Sequence, residues 1–525
     1  MASSENSERS PRLSRRGALR AFGIGTAGAV VGPSVLADQV AAAAHTGGHA
    51  AVPNHFGRLF PTLPPFARSS PSLRAALLEL GRPGGLLDAG DDLSAGPVRL
   101  ITDPALSRHN PNNPTHTAGT TFLGQFIDHD VTFDASSRLG VRASPTATRN
   151  FRSPALDLDS LYGAGYVAQQ ELYDAADPIK LRIESGGLFE DVPRRADGAA
   201  ILADPRNDEH IIIAGLHAAF IRLHNACVDR VRASGTHVPS VAFAQARRLV
   251  TWHYQWIVVH EFLPQICGHA RVRAALRHRR LFLPRRGQAQ IPVEFQAAAY
   301  RMGHSMVRPS YRVNLAGDAG QPFFAFIFDP SQEGASDPND LRGGVRTPRR
   351  FVGWQTFFDF GDGQVRRNKQ LDTTLSTPLF QLPLQTIASG DGPTSLAQRN
   401  LLRHITWSLP SGQSIARAMR APVLSSNDLA DVSSLGANLD RSTPLWFYIL
   451  REAHVMAQGH TLGPVGGRIV GEVLIGLLQL NRNSYLSANP RWRPTLLDRF
   501  GQQTNDFKMV DLLTFAGVAP AQRGQ

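Results

Sequence analysis

Residues 121 to 134 read "TFLGQFIDHDVTFD" and set Gln125, Asp128, His129 and Asp130 in an otherwise apolar run. An imidazole among carboxyl groups is the usual equipment for proton transfer near neutral pH. On a helix over residues 117–132, Gln125, Asp128 and His129 stand at i, i+3 and i+4 and share a face. Asp130 lies about 100° further round the helix and addresses a different neighbour. The plain alternative is a pair of acids bridged to arginines around a core histidine.

Three more segments carry side chains of this kind. In "RNFRSPALDLDSLYG", Asp157 and Asp159 alternate with leucines beside Ser153 and Ser160. Such oxygen donors suit a hard cation such as calcium, with Asp130 completing the cage, although D-x-D-S also fits a turn and a helix cap. The pattern is not that of an EF-hand. In "DPRNDEHIII", Arg206 and Glu209 are three apart at a helix start, where Asn207 or Asp208 is available as a cap. In "YRMGHSMVRP", His304 follows Gly303. A glycine inside a helix costs about 1 kcal/mol relative to alanine and often marks close approach by something flat or bulky.

These residues need a scaffold, and the periodicity supplies one. Apolar residues recur at Ile212, Leu216, Phe220, Leu223 and Cys227, which predicts a helix from about Glu209 to Gly235. Further helices are expected from residue 240 to a stop near Pro264, and over 293–307, 396–407, 445–458 and 467–480. Only short strands are expected, in "KLRIES" and "YRVNL". No linker divides the helices, so the 525 residues, 42% of them hydrophobic, read as one large mainly α domain.

The formal net charge of +12 comes from dispersed arginines, which more often solvate a surface than bind nucleic acid. Two cysteines, Cys227 and Cys267, exclude a disulfide scaffold and a thiolate cluster. Residues 1–44 join Arg15 and Arg16 to a mild apolar stretch and an Ala-rich end, the pattern of a twin-arginine signal peptide. Its apolar stretch is too short for a membrane anchor. An exported chain whose domain spans 45–525 is therefore expected.

Taken in order, Q-x-x-D-H-D, R-x-x-E, G-H and the "SLAQRNLLR" stretch resemble the animal-type haem peroxidase superfamily, also called peroxidase-cyclooxygenase, in a bacterial exported form. The resemblance runs from roughly residue 52 to 515. It implies the single-domain peroxidase-like helical fold with few short strands, and it implies haem b and calcium as cofactors. By this resemblance His304 is the haem-iron ligand, oriented by Asn400, and Arg403 meets a haem propionate. His129 is the distal acid/base with Arg206 as its electrostatic partner, and Gln125 holds a water or halide one helical turn away. Asp128 and Glu209 are the positions that form ester links to the haem. Calcium is expected on Asp130, Ser153, Asp157, Asp159 and the carbonyl of Ala155.

Two positions depart from relatives of the same superfamily. His210 follows Glu209 where some members carry a methionine, so no sulfonium link is expected. Arg301 stands where the fatty-acid oxygenases carry a radical tyrosine, and Tyr300, one residue earlier, lies on a different face of the helix, so oxygenase chemistry is disfavoured. The implied function is a secreted or envelope oxidoreductase, suited to a response to oxidative stress. It would use hydrogen peroxide to oxidise halide, thiocyanate or a small organic donor through an oxyferryl haem. The competing readings are a fatty-acid dioxygenase of the same fold and a secreted adhesive protein without turnover. No nucleic-acid partner is expected.

Overall fold

The computed structural model describes residues 54–523 apart from 186–188, 286–287, 345–346, 388–389 and 391, so the expected signal over 1–44 lies outside the described residues. The chain is mainly helical, as its periodicity predicts. The helices that matter for the site are α1 (Gly119–Val131), α2 (Ile211–Ala233), α3 (Pro239–Ile257), α4 (Leu263–Cys267), α5 (Gly303–Met306), α6 (Leu396–Thr406), α7 (Leu445–Ala457) and α8 (Pro464–Leu480). The strands form three short antiparallel pairs: Asn112–Thr117 with Arg367–Lys369, Glu184–Ser185 with Glu190–Asp191, and Ser310–Arg312 with Phe324–Phe326.

Helix α2 buries its predicted stripe of Ile212, Leu216, Phe220, Leu223 and Cys227, and also His217 and His224. It packs against α1 and α3, so its length and apolarity belong to a core helix. Its start is not capped by Asn207 or Asp208. His210 takes that role, its side chain accepting from the Ile213 amide.

Two predicted helices differ from expectation. The helix expected to stop near Pro264 continues from α3 through a π-helical turn, Val258–Phe262, into α4, and ends at Gly268 with φ +82°. Proline has no N–H to return to the carbonyl four residues back, and the wider π-turn lets the chain pass it without a break. The helix expected over 293–307 is broken into Val293–Gln296, a 3-10 turn over Ala299–Met302, and α5. At the break Ala298 has φ −136° and ψ −70°, and Arg301 Nε donates to the Gln296 carbonyl at 3.0 Å. A local side-chain hydrogen bond thus replaces a helical one.

Among the described residues the main hydrophobic core runs from Phe56 to Val518, with a small satellite of Val192, Ala214 and Ala218. Cys227 and Cys267 are buried, unbridged thiols within the main core.

Candidate active site

A cavity of about 260 Å³ opens where α1, the start of α2, α5 and α6 converge. Its wall contains Gln125, Asp128, His129, Arg206, Glu209, Arg301, His304 and Arg403, drawn from four distant stretches of sequence. On α1 the i, i+3, i+4 face turns to this cavity, and Asp130, 0% exposed, turns away from it.

His129 Nδ1 lies 2.8 Å from Asn207 Oδ1, and Nε2 lies 4.0 Å from Glu209 Oε2, beyond hydrogen-bond range. Burial, with the Arg206 guanidinium beside it, pushes the imidazole down to about 3, so the ring is neutral at ordinary pH. Arg206 is gripped by Asp204, which accepts from Nε at 3.0 Å and from Nη2 at 2.7 Å. Nη2 also donates to the carbonyls of His129 and Thr132 at 3.2 and 2.6 Å, which ties the arginine to the last turn of α1. Nη1 lies 3.9 Å from Asp128. Burial alone would raise the Asp204 carboxyl, but Arg206 and Arg152 outweigh it and hold the group well below the usual range.

The direction of hydrogen bonding along Gln125 is set by a backbone group. The Ile213 amide donates to His210 Nδ1 at 3.3 Å, so His210 Nε2 carries the proton that faces Gln125 Oε1 at 2.8 Å. The Gln125 amide nitrogen then donates to Glu209 Oε2 at 3.1 Å. Gln125 therefore has one N–H left for a water or anion. Burial pushes Glu209 up to about 8 against the pull of Arg206, and burial likewise raises Asp128. The 28% exposure of the Asp128 side chain opens onto the cavity.

On the other helices, His304 Nδ1 meets the Asn400 amide at 2.8 Å. With nitrogen placed there, Asn400 Oδ1 is buried without a partner. Turning the amide over lets Oδ1 accept from Nδ1–H and leaves Nε2 as a lone pair, the form a metal-binding imidazole needs. A Cβ on Gly303 would find no protein atom within 4 Å, consistent with space reserved for something other than protein. Arg301 and Arg403 also line the cavity. Burial and their mutual repulsion push Arg301 down to about 9, and burial lowers Arg403, whose Nε is buried without a partner and whose Nη1 is 3.7 Å from Asp134. Two under-compensated guanidiniums call for an anionic ligand. The residues present therefore fit a haem.

Tyr300 lines the same cavity, stacked on Phe295 with ring centroids 4.7 Å apart, and its buried hydroxyl has no partner. The expectation that it faces elsewhere assumed a continuous helix, and the 3-10 turn removes that assumption.

Asp130, Asp157 and Asp159 form a second cluster, each offering an oxygen within 4.8 Å of the others. Neither oxygen of Asp130 nor Oδ1 of Asp157 receives a hydrogen bond, although the Tyr254 hydroxyl and the Leu158 amide face Asp130. Burial and then the neighbouring carboxylates raise Asp130 well above the usual range. Orphaned buried carboxylates fit a cation. Ser153 donates its amide to Asp159 at 2.8 Å and its hydroxyl to Asp157 at 3.4 Å. The Ala155 carbonyl accepts from Asn481 Nδ2 at 3.0 Å, which leaves one lone pair for the expected ligation.

Asp204, Asn207, His210 and His217 escaped the sequence reading as site residues. The only trace of the first three was the density of polar residues in "DPRNDEH", and His217 lies beyond it on the buried stripe of α2.

A family model for animal haem peroxidases matches residues 138–332, which hold Asp157 and Asp159 of the acidic cluster, Arg206, Glu209 and His304, while Gln125, Asp128, His129 and Asp130 precede the match. The chain is 28% identical over 214 residues to a probable oxidoreductase, PXDNL, of Homo sapiens, covering 36% of this chain and 14% of that protein. It is 28% identical over 238 residues to peroxidase skpo-1 of Caenorhabditis elegans, covering 38% and 35% respectively. The chain thus spans well under two thirds of these relatives. Peroxidase A of Dictyostelium discoideum shares the fold over 90% of this chain and 98% of its own, with a TM-score of 0.59 and 15% identity. A fatty acid alpha-dioxygenase of Arabidopsis thaliana follows over 94% and 85%, at 0.51 and 13%. The family match over residues 138–332 and the peroxidase relatives support the animal haem peroxidase superfamily for this chain, and the solved structures share its fold along nearly its whole length.

Proposed function

We propose that the chain is a haem peroxidase that reduces hydrogen peroxide to water and oxidises a halide, thiocyanate or small organic donor. The observation that carries this reading is one cavity lined both by a neutral His129 beside Arg206 and by His304 paired with Asn400. His304 would hold the haem iron, Arg301 and Arg403 its propionates, and Asp128 and Glu209 would supply the carboxyl groups for ester links to it. When bound, the haem supplies the electrons that cleave the O–O bond.

The remaining work falls to the chain. His129 Nε2 accepts a proton from peroxide and returns it to the departing oxygen, which leaves as water. Arg206 holds a fixed positive charge where negative charge gathers on that oxygen, an effect typically worth about 3 kcal/mol. Asp204 and the α1 carbonyls keep the guanidinium from reorganising during the step. The acidic cluster would take calcium and fix the end of α1.

The test is the absorption spectrum of the purified, haem-supplemented chain before and after peroxide, followed by donor consumption. A histidine-ligated Soret band that shifts with peroxide and recovers with donor supports the reading, and no haem binding refutes it. The unpartnered Tyr300 hydroxyl favours one second reading, a fatty-acid dioxygenase. Oxygen uptake with free fatty acid, lost in Tyr300→Phe, would select it.

A further inference from the structure

We infer that Asn207 and His217 act as positioning residues that fix the tautomer of His129, so that its Nε2 presents a lone pair to the cavity. The inference rests on the peroxidase reading for its consequence, but its basis is geometric. Asn207 Oδ1 lies 2.8 Å from His129 Nδ1, and Asn207 Nδ2 lies 3.0 Å from Nδ1 of His217. Asn207 is 0% exposed, His217 2% and His129 4%, so bulk water is poorly placed to replace either bond.

An amide between two imidazoles permits two self-consistent states. In one, His129 Nδ1–H donates to Oδ1 and Nδ2–H donates to a bare His217 Nδ1. In the other, the amide is turned over and both imidazoles are in the opposite tautomer. The three groups must switch together, because any single change sets two donors or two lone pairs face to face.

Only the first state serves a residue that gains and returns a proton at Nε2. There Nδ1 keeps its hydrogen whether His129 is neutral or protonated, and Asn207 Oδ1 accepts from it throughout. In the second state, protonation would drive Nδ1–H against an amide N–H. His217 stabilises the first state by accepting from Nδ2, which holds the amide against rotation. The ring of Phe126, edge-on to His217 at 6.5 Å, helps keep that imidazole in place.

The test uses the full-length chain labelled with ¹⁵N-histidine, with His129→Gln to assign the resonance. The expected spectrum shows His129 with Nε2 unprotonated and Nδ1 protonated. Asn207→Leu and His217→Phe should convert this into a mixture, whereas His217→Gln, whose carbonyl oxygen still accepts from Asn207, should preserve it. In the haem-loaded protein, the association rate of cyanide provides a second readout, since HCN must surrender its proton to His129 on binding. Asn207→Leu and His217→Phe should slow it at least ~10-fold, part of the ~100-fold or more that a positioned acid/base group supplies, and His217→Gln should stay within about threefold.

A wild-type His129 protonated at Nε2 would overturn the inference, as would an Asn207→Leu chain with unchanged nitrogen shifts. Equal slowing in His217→Gln and His217→Phe would also overturn it, by reducing His217 to a packing role. If the wild type takes up no haem, the peroxidase reading fails by itself, and the nitrogen shifts still decide the tautomer. The His217 pair carries the test should Asn207→Leu not fold.

Discussion

Replacing Asp204 by asparagine keeps the shape of the side chain and removes the charge that organises the peroxide-facing side of the cavity. Asp204, 0% exposed, accepts from the Arg206 amide at 3.0 Å, from Arg206 Nε at 3.0 Å and Nη2 at 2.7 Å, and lies 3.3 Å from Arg152 Nε. In Asp204→Asn the Oδ1 contacts survive, but the new amide N–H meets Nη2–H head-on. Breaking a buried ion pair from one side costs about 3–5 kcal/mol. Asp128 at 3.9 Å from Arg206 and Asp159 at 3.5 Å from Arg152 remain as distant counter-charges, which places the loss near the lower end, about 3 kcal/mol. Urea denaturation at pH 7 measures it. The sign with pH follows from the depressed carboxyl. Its stabilisation is full above the unfolded value of about 4 and is lost as pH falls through the folded one, so the gap between wild type and variant should stay level from pH 8 to 5 and narrow below about 4. Released from Asp204, Arg206 also leaves its place in the cavity, and the reaction with peroxide should slow by on the order of 100-fold, as expected for a misplacement of about 1 Å. A stability loss below about 1 kcal/mol, or a gap unchanged at pH 2.5, would refute the reasoning.

Other outcomes are equally specific. His129→Ala should slow the peroxide reaction at least ~100-fold, and the wild-type rate should hold level from pH 8 to about 4, because the base works unprotonated and its imidazole lies at about 3; stopped-flow absorbance across pH checks both. His304→Ala should lose the spectrum of a histidine-ligated haem, and an unchanged Soret band would remove His304 as the ligand. Metal analysis should find about one calcium per chain, with Asp130→Asn releasing it; calcium-free protein with full stability would dismiss the cage. After peroxide treatment, haem should resist acid–organic extraction, and the double variant Asp128→Ala and Glu209→Ala should release it.

The long helices were legible because a 3.6-residue apolar period is local, and α2 begins and ends within two residues of its predicted limits. The split between His129 and Asp130 was legible for the same reason, since consecutive helical residues diverge by about 100°. Most of what escaped depends on contacts across the chain. The break at Ala298 is local, with the Arg301 side chain five residues on taking the Gln296 carbonyl, but an apolar period does not register such a bond. Asn207 and Asp208 read as helix caps, but Asn207 turns to His129 and His217, and Asp208 pairs with Arg194 at 2.7 Å. His217 was invisible because a histidine on a buried stripe looks like any other core residue. Pro264 was visible, but a proline alone does not distinguish a helix end from a π-turn that carries the helix past it.

The adjacency of His129 and Asp130 turns α1 into a lever. One residue is gripped by the acidic cluster and the next reaches into the cavity, so a rotation of the helix imposed at one is delivered at the other. A side-chain tip lies roughly 5–6 Å from a helix axis, so a roll of about 10° sweeps it through about 1 Å. If the cluster holds calcium as proposed, its removal leaves three carboxylates that repel one another and supply the torque for such a roll. The Arg206 bonds to the carbonyls of His129 and Thr132 act as the opposing brake, holding the same turn of helix from the far side. Wear at either grip would therefore show first as lost alignment of the imidazole, well before the helix itself came apart.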